Sequence, residues 1–337
     1  VPQGGNTGLV GGGVPRQKEI IISLSRLNRI HNAIEPNVIA CEAGCILERL
    51  EEAANERGCT VPLNLGAKGS CQLGGNLATN AAGSRFIRYG SLRSNCLGLR
   101  VVLADGTLLD LDNRMRKDNT GLDLKQLFIG SEGCLGIITG CTLQTPPLPR
   151  VWQVALLRLP DFTAVAALAA RARHLPSLSA LEFWDQQAGE LLSGRLPFAL
   201  RAGEFAVLVE TAGYQENAIE EMLSLLGDDT DGVLAQDASQ QAEFWRLRES
   251  IPEAASHHGP VTKYDLTLPL DHLYRLVEEC RGRLPHHCLV LGYGHAGDGN
   301  LHLNVVGDDP EAIRSAQEPW IWERVRALGG SISAEHG

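Results

Sequence analysis

A cluster of prolines near the middle of the chain, TPPLPR at 145–150, is the feature that most constrains how this sequence can fold. Proline fixes its own φ angle and lacks a backbone donor, so such a cluster interrupts helices and strands. The chain has 337 residues, which is more than one hydrophobic core normally covers. We therefore predict two domains, at 1–147 and 148–337.

The first predicted domain alternates short helices and strands. Apolar residues recur at helical spacing within 46–58, and Gly58 follows them as a helix stop. Two β-rich runs within 98–111 are joined by Asp105 and Gly106, a pair typical of a hairpin turn.

The second predicted domain has longer segments of both kinds. Strand-like runs at 152–159, 179–185 and 204–211 alternate with helical runs at 162–175 and 217–226. This order favours an antiparallel sheet covered by helices on one face, so the fold class expected for the chain is α+β.

Composition excludes some classes of function. The net charge of −10 and the lack of a basic run disfavour a nucleic-acid-binding protein. The nine cysteines are odd in number and include no CxxC pair, which indicates free thiols in a reducing compartment. No apolar run reaches the roughly 18 residues that a membrane-spanning helix needs. The chain opens inside a glycine loop and stops after SAEHG, so we expect both natural ends, and any targeting signal, to lie outside it.

Three glycine-rich loops lie in the first domain, at 2–13, 73–83 and 127–138. Glycine lets several backbone N–H groups point at one phosphate, although each loop alone could be a set of tight turns. None of the loops is a Walker A motif or a GxGxxG motif that opens a helix after a strand. Together they predict a cradle for a dinucleotide, for which we expect contacts from Pro2, Gly4, Gly5, Asn6, Thr7, Gly8, Leu9, Gly74, Gly75, Asn76, Thr79, Asn80, Gly83, Gly90, Glu132, Gly136, Ile137 and Ile138.

The segment GYGHAGDGNLHLNV at 292–305 predicts a metal site. His295 and His302 are seven residues apart, which would place them on opposite faces of one straight strand. The AGDGN sequence between them indicates a turn, so the two histidines can converge from the two arms of a hairpin. The alternative is a polar hairpin whose histidines only support the turn.

A third ligand and a base are available in SAEHG, which contains Glu335 and His336. Two histidines and one carboxylate form a three-ligand site with open positions, as in catalytic zinc sites. Without a cysteine ligand, manganese, cobalt and iron are also acceptable. Two cations, Arg248 in a helical segment at 244–254 and Lys263 in a strand with Asp265 on the same face, could bind an anionic substrate or could be solvated surface charges.

Several long motifs resemble those of one known family. They are PQGGNTGLVGG, GGNLATNAAG, RKDNTGLDLKQLFIGSEGCLGIIT, TKYDLTLP, GYGHAGDGNLHLNV and SAEHG. These motifs resemble the FAD-linked D-2-hydroxyacid dehydrogenases of the vanillyl-alcohol-oxidase superfamily, and the likeness spans essentially the whole chain. It implies a PCMH-type FAD-binding domain followed by an FAD-linked-oxidase cap domain.

The resemblance also implies the cofactors. FAD is expected to be non-covalent, because Asn6 stands where covalently flavinylated relatives often have histidine. His295, His302 and Glu335 are expected to bind zinc, with manganese or cobalt as alternatives.

Substrate contacts follow from the same resemblance. It implies that Asn304 and His336 contact the substrate and that Arg248 and Lys263 hold its carboxylates. This chain departs from the family at Pro252, four residues after the arginine, where threonine is usual. Pro252 therefore affects the expected recognition of the substrate's distal carboxylate.

The function expected from both lines of reasoning is oxidation of D-2-hydroxyglutarate to 2-oxoglutarate, with His336 as base and hydride transfer to the flavin N5. D-lactate and D-malate are the alternative substrates. A non-haem iron oxygenase and a non-catalytic flavoprotein subunit with a structural metal are the alternative classes. By resemblance, an electron-transfer flavoprotein or another acceptor reoxidises FAD in the mitochondrial matrix of a eukaryote or the cytoplasm of a bacterium. The sequence leaves the oligomeric state open, with a homodimer as one alternative.

Overall fold

The computed structural model describes residues 1–31, 36–227 and 230–336. The chain divides into two compact units. The first is Val1–Leu148 with the segment that begins at Glu335, and the second is Pro149–Ala334. The first unit contains two sheets and the second contains one.

The first unit combines short helices with two small sheets. In chain order its elements are β1 (Pro2–Gln3), β2 (Ile22–Ser23), β3 (Val38–Glu42), α1 (Leu47–Asn55), α2 (Leu73–Ala78), α3 (Phe86–Tyr89), α4 (Leu92–Asn95), β4 (Cys96–Val102), β5 (Leu108–Asp112), α5 (Lys125–Phe128) and β6 (Ile137–Gln144). Strands β1 and β2 pair in parallel, and the other four form an antiparallel sheet in the order β3-β6-β4-β5.

Local sequence explains two of these elements. Helix α1 buries Leu47, Leu50 and Ala54, which lie on one face at helical spacing. Strands β4 and β5 form the expected hairpin, in which Gly106 adopts a φ of +87° that a turn requires and other residues resist. Both predictions for this part of the chain are confirmed.

The second unit contains a larger sheet and longer helices. Its elements are β7 (Val151–Leu159), α6 (Phe162–Ala172), β8 (Leu178–Asp185), α7 (Gln186–Glu190), β9 (Phe205–Gly213), α8 (Asn217–Leu226), β10 (Gly232–Leu234), α9 (Ala238–Glu249), α10 (Ile251–His257), β11 (Val261–Thr267), α11 (Leu270–Arg283), β12 (Leu289–His295), β13 (Asn300–Val306), α12 (Pro310–Gln317) and α13 (Trp320–Ala327). The seven strands form an antiparallel sheet in the order β10-β7-β9-β8-β12-β13-β11.

Helices cover both faces of this sheet, whereas the sequence pattern led us to expect cover on one face. Neighbouring residues of β8 show this, because side chains alternate between faces along a strand. Trp184 belongs to a buried cluster with residues of α9 and α10. Phe183 instead contacts Phe162 of α6, with ring centroids 5.3 Å apart. Every residue of β8 and β9 is buried, so the alternation of polar and apolar residues that marks a one-sided sheet is absent from these strands.

The predicted helical segment at 244–254 is two helices in the structure. Helix α9 ends at Glu249 and α10 begins at Ile251. Pro252 lies in the first turn of α10, where its missing N–H has no helical partner to lose. The proline therefore ends one helix and starts the next.

The outer edge of β11 is partly covered by a later segment of the same unit. Ser331 and Thr267 exchange backbone hydrogen bonds of 2.8 and 3.0 Å, and the Ala334 N–H donates to the Asp265 carbonyl at 3.2 Å. Among the described residues, no helix is both long and apolar enough to cross a bilayer.

Candidate functional site

The three glycine loops meet around α2 in the first unit. The N–H groups of Gly130 and Glu132 donate to the carbonyls of Leu77 and Ala78, at 3.0 and 2.8 Å, so the third loop lies against the end of this helix. In the first loop, a Cβ atom added to Gly5 would lie 2.1 Å from the Ser70 carbonyl oxygen. Glycine is therefore required at this position for close packing of the backbone.

Each loop holds one residue other than glycine in the left-handed region. The φ angles are +53° at Asn6, +52° at Asn80 and +52° at Glu132. Asparagine tolerates this conformation, but glutamate adopts it at an energetic disadvantage. Such residues tend to occur at ligand sites, and all three are among those expected to contact the dinucleotide.

The chemistry of this region fits a dinucleotide. Gly8 and Gly75 have φ angles outside the left-handed region, and a Cβ added to either would meet no other described residue within 4 Å beyond its chain neighbours and its own helix. Gly75 is within a helix, where glycine lowers stability by about 1 kcal/mol relative to alanine, and packing of the protein does not require it. In addition, the buried oxygens Gln72 Oε1 and Asn76 Oδ1 have no hydrogen-bond partner in the described part of the chain. A bound ligand would explain both observations. It would fill the open space beside the glycines and donate hydrogen bonds to the two unpaired oxygens.

Arg93 was not predicted as part of this region. Its backbone N–H donates to Asn80 Oδ1 at 3.0 Å, and its guanidinium donates to the carbonyls of Gln126 and Ile129. Arg93 therefore joins the second and third loops. A single arginine between two loops carries no sequence signal, because its role depends on contacts made more than thirty residues away.

In the second unit, the hairpin of β12 and β13 brings His295 and His302 together. Their Nε2 atoms are 3.2 Å apart and their rings are nearly perpendicular, at 82°. His295 ends β12, and His302 lies two residues inside β13. The prediction that the histidines converge from two arms of a hairpin is confirmed.

A carboxylate holds the other nitrogen of each ring. Glu182 of β8 lies directly opposite His295 in the sheet, and its Oε1 is 2.6 Å from His295 Nδ1. On the other side, Asp265 of β11 lies opposite His302, with Oδ1 3.1 Å from His302 Nδ1. Four adjacent strands thus present the row Glu182, His295, His302 and Asp265 on one face.

This row fits a cation. An ionised carboxylate only accepts hydrogen bonds, so its position beside each Nδ1 favours the tautomer in which Nδ1 carries the proton and Nε2 keeps its lone pair. Two imidazole nitrogens on one tetrahedral zinc ion, bonded at about 2.0–2.1 Å, lie roughly 3.3–3.4 Å apart. Burial lowers the pKa of His302 despite the opposing effect of Asp265, which favours the neutral imidazole that binds metals.

Arg248 is buried beside this row. Its Nε donates to Glu182 Oε2 at 2.9 Å, and its guanidinium lies 5.0 Å from the centre of the Tyr293 ring. Burial alone would raise the pKa of Glu182, but the interactions with His295 and Arg248 outweigh it and hold that pKa below its ordinary value. Glu182 was not among the predicted site residues. For Arg248, the alternative prediction of a solvated surface charge is wrong, because its side chain is buried and paired with Glu182.

Lys263 and Asn304 occupy the next position along the same face. They lie opposite each other on β11 and β13. Lys263 is exposed, whereas Asn304 is buried and donates from Nδ2 to the Tyr293 hydroxyl at 2.8 Å. Burial raises the pKa of Tyr293 to about 12, so this hydroxyl is neutral when it accepts that bond.

Glu335 and His336 belong to the first unit. Glu335 Oε2 accepts a hydrogen bond of 2.7 Å from the N–H of Gly83, in the second glycine loop. Its other oxygen is 3.5 Å from His336 Nε2. The carboxylate proposed as a metal ligand is therefore fixed by the loop expected to hold the dinucleotide.

Comparison with protein families gives two matches. A model described as FAD linked oxidases, C-terminal domain, matches residues 148–337, and a model described as FAD binding domain matches 1–112.

Similar proteins match over the whole chain. Mitochondrial D-2-hydroxyglutarate dehydrogenase of Bos taurus is 48% identical, and the chain spans 64% of its length. A D-lactate dehydrogenase candidate of Schizosaccharomyces pombe is 45% identical, with 69% of its length spanned. The D-2-hydroxyglutarate–pyruvate transhydrogenase of Saccharomyces cerevisiae is 38% identical, with 73% spanned. The chain thus covers slightly less than two thirds of the most similar of these relatives.

A solved structure of alkyldihydroxyacetonephosphate synthase has a similar fold. It superposes with a TM-score of 0.79 at 18% identity and covers 99% of this chain and 67% of the other. The expected α+β fold is therefore confirmed.

Proposed function

Because this chain belongs to the family of FAD-linked oxidases, we propose that it oxidises D-2-hydroxyglutarate to 2-oxoglutarate with FAD as the hydride acceptor and a divalent metal, zinc first, at the substrate. The observation that carries the proposal is the pair of facing nitrogens of His295 and His302, each ring held by a carboxylate. Such a pair is the open, nitrogen-rich half of a catalytic metal site.

When bound, FAD would supply a hydride acceptor, and zinc would lower the pKa of the substrate hydroxyl that it binds. Of the chain's own residues, His295, His302 and Glu335 hold the metal. His336 takes the proton of the C2 hydroxyl, and histidine is the side chain that most often serves as a general base. The first-domain loops orient the flavin, and Asn6 at a non-attachment position keeps it non-covalent.

Substrate choice rests on cations and hydrogen-bond donors of the second unit. Lys263 and Arg248 hold carboxylate oxygens, and Asn304 orients the substrate from the neighbouring strand. Each charge-assisted bond contributes about 1.5–3 kcal/mol, so two at a distal carboxylate favour a dicarboxylate by roughly 100-fold or more. We therefore rank D-2-hydroxyglutarate above D-malate, and D-malate above D-lactate.

D-lactate is the second candidate because of Pro252. The resemblance places a threonine hydroxyl at this position, and proline supplies none. The loss is about 1 kcal/mol, which is too small to reverse a preference set by two cations. The similarity to the Schizosaccharomyces pombe protein keeps the alternative open.

The partners and the compartment are also proposals. Reduced FAD requires an electron acceptor, for which an electron-transfer flavoprotein fits the resemblance. The names of relatives include the mitochondrion, and for a eukaryotic chain we propose the mitochondrial matrix. The oligomeric state stays open, with a homodimer as one alternative, and the mass of the protein in solution tests it.

The test is anaerobic bleaching of the flavin absorbance by stopped flow with D-2-hydroxyglutarate, D-malate and D-lactate. L-2-hydroxyglutarate is the matched control, since it has the same charges and the opposite configuration. We expect the rates to fall in the order given and the L-isomer to be inactive. A colourless protein would point to the iron oxygenase, a flavin that no hydroxy acid bleaches would point to the non-catalytic subunit, and faster bleaching by D-lactate would overturn the substrate assignment.

A further inference from the structure

One buried carboxylate touches both the metal-binding and the anion-binding groups of the second unit. Glu182 is 0% exposed and lies at the centre of the seven-stranded sheet. Its Oε1 is 2.6 Å from His295 Nδ1, and its Oε2 accepts from Arg248 Nε at 2.9 Å. Each oxygen therefore has its own partner.

These contacts restrict two side chains at once. A proton on His295 Nδ1 leaves Nε2 as the only ligand atom of that ring, and the hydrogen bond fixes the direction in which Nε2 points. The bond to Arg248 Nε fixes the plane of the guanidinium beside Tyr293. Asp265 has the corresponding position at His302, with Oδ1 3.1 Å from His302 Nδ1.

We propose that Glu182 is a positioning residue that holds His295 Nε2 toward the metal and ties this ligand to Arg248. The inference rests on the proposed metal site and adds to it a residue that binds neither metal nor substrate. A carboxylate is required, because glutamine has one acceptor oxygen and two partners need one each. In Glu182→Gln the amide NH₂ would face either His295 Nδ1–H or Arg248 Nε–H.

The test measures zinc affinity in the purified, FAD-containing protein by competition with a chromophoric chelator, and the visible spectrum of the cobalt-substituted protein. Loss of a carboxylate behind a histidine ligand weakens metal binding by about 10- to 100-fold. We expect Glu182→Gln to show this loss together with an altered cobalt spectrum, while its flavin absorbance is retained.

Glu210→Gln is the matched control. Glu210 is also buried, lies on the adjacent strand β9, and accepts a 2.9 Å hydrogen bond from Trp245 of α9, the helix that carries Arg248. It makes the same kind of link between sheet and helix, through a tryptophan instead of an arginine. We expect its zinc affinity and cobalt spectrum to be those of the wild type.

The double variant Glu182→Gln with Arg248→Gln distinguishes positioning of His295 from a role in which Glu182 only neutralises the charge of Arg248. Removing both charges of a buried pair avoids the unpaired charge that could unfold the single variant. If Glu182 only neutralises Arg248, the double variant regains wild-type zinc affinity, and so the inference is wrong. If Glu182 positions His295, the double variant stays 10- to 100-fold weaker.

The wild type gives a check that needs no variant to fold. The imidazole ¹⁵N chemical shifts of the zinc-loaded protein report which nitrogen of His295 carries the proton. Protonated Nδ1 is expected, and an Nε2-protonated ring would overturn the inference. A wild-type protein that binds no zinc would instead overturn the proposed metal site, so the two failures are distinguishable.

Discussion

Arg248 and Lys263 carry the same charge in opposite surroundings. The Arg248 side chain is 8% exposed and paired with a Glu182 side chain that is 1% exposed, whereas Lys263 is exposed on β11. Removing one partner of a buried pair leaves the other charge without compensation and lowers stability by about 3–5 kcal/mol. Within the described residues Lys263 makes no ion pair, so its removal leaves no buried charge without compensation.

This difference decides how substrate recognition is best tested. We expect Lys263→Ala to lower kcat/KM for D-2-hydroxyglutarate by about 10- to 100-fold relative to D-lactate, because one charge-assisted bond to the distal carboxylate is lost. Its free energy of unfolding should change by less than about 0.5 kcal/mol. Arg248→Ala should lower both substrate preference and stability. Equal losses for both acids in Lys263→Ala would show that this lysine does not contact the distal carboxylate.

His336 gives a second prediction at the scale of one residue. If it is the base, His336→Ala should slow flavin reduction by about 100-fold or more, the usual scale of acid–base catalysis. The zinc content should be unchanged, because Glu335 is the proposed ligand and His336 is not. Loss of zinc in this variant would mean that the two roles are exchanged.

At this scale the sequence identified His295 and His302 but not Glu182. The histidines belong to one hairpin, so the AGDGN turn between them was enough to predict that they converge. Glu182 is 113 residues from His295, and their contact depends on which strand lies beside β12 and in which register. Neither is encoded in a local pattern, and a shift by one residue would turn Glu182 to the other face.

At the scale of elements, the β12–β13 hairpin depends on one glycine. Gly294 has a φ of +154°, and a Cβ atom added there would lie 2.3 Å from the Asn300 carbonyl oxygen of the paired strand. Gly294→Ala therefore forces the two strands apart next to His295. We expect a stability loss of about 1–3 kcal/mol, measured by denaturant unfolding, and a clear loss of bound zinc with the flavin retained.

Gly282→Ala is the control for this change. Gly282 lies in α11 of the same unit, and outside its own helix no described residue has an atom within 4 Å of an added Cβ. Alanine in a helix should raise stability by about 0.5–1 kcal/mol and leave zinc binding unchanged. Equal zinc contents in the two variants would contradict the steric role assigned to Gly294.

Helices and strands were predicted well where their apolar spacing was regular, as in α1, α6 and β7. The number of sheet faces covered by helices was predicted incorrectly. Every residue of β8 and β9 is buried, and a strand buried on both faces lacks the alternation of polar and apolar residues from which a one-sided sheet is recognised. The division between α9 and α10 is visible in the sequence only as Pro252, whose kink or break depends on the helices that pack around it.

At the scale of the whole molecule, the two proposed cofactors depend mainly on different units, although the proposed metal ligand Glu335 belongs to the same unit as the glycine loops. The glycine loops lie in the first unit, and the histidine pair lies in the second. A chelator should therefore abolish bleaching by D-2-hydroxyglutarate while the flavin spectrum remains, and added zinc should restore the reaction. Acid precipitation should release the yellow flavin into the supernatant, and flavin on the pellet would contradict the non-covalent assignment at Asn6.

The position of β11 at the end of the seven-stranded sheet has a consequence for association between molecules. An edge strand offers unpaired backbone groups to any other strand, and natural sheets protect such edges with charged residues or covering segments. Here Lys263 and Asp265 supply the charges, and the backbone bonds of Ser331 and Ala334 supply the cover. We therefore expect that replacing Lys263 or Asp265 with an uncharged residue lowers the solubility of the protein, in addition to any effect on the proposed activity.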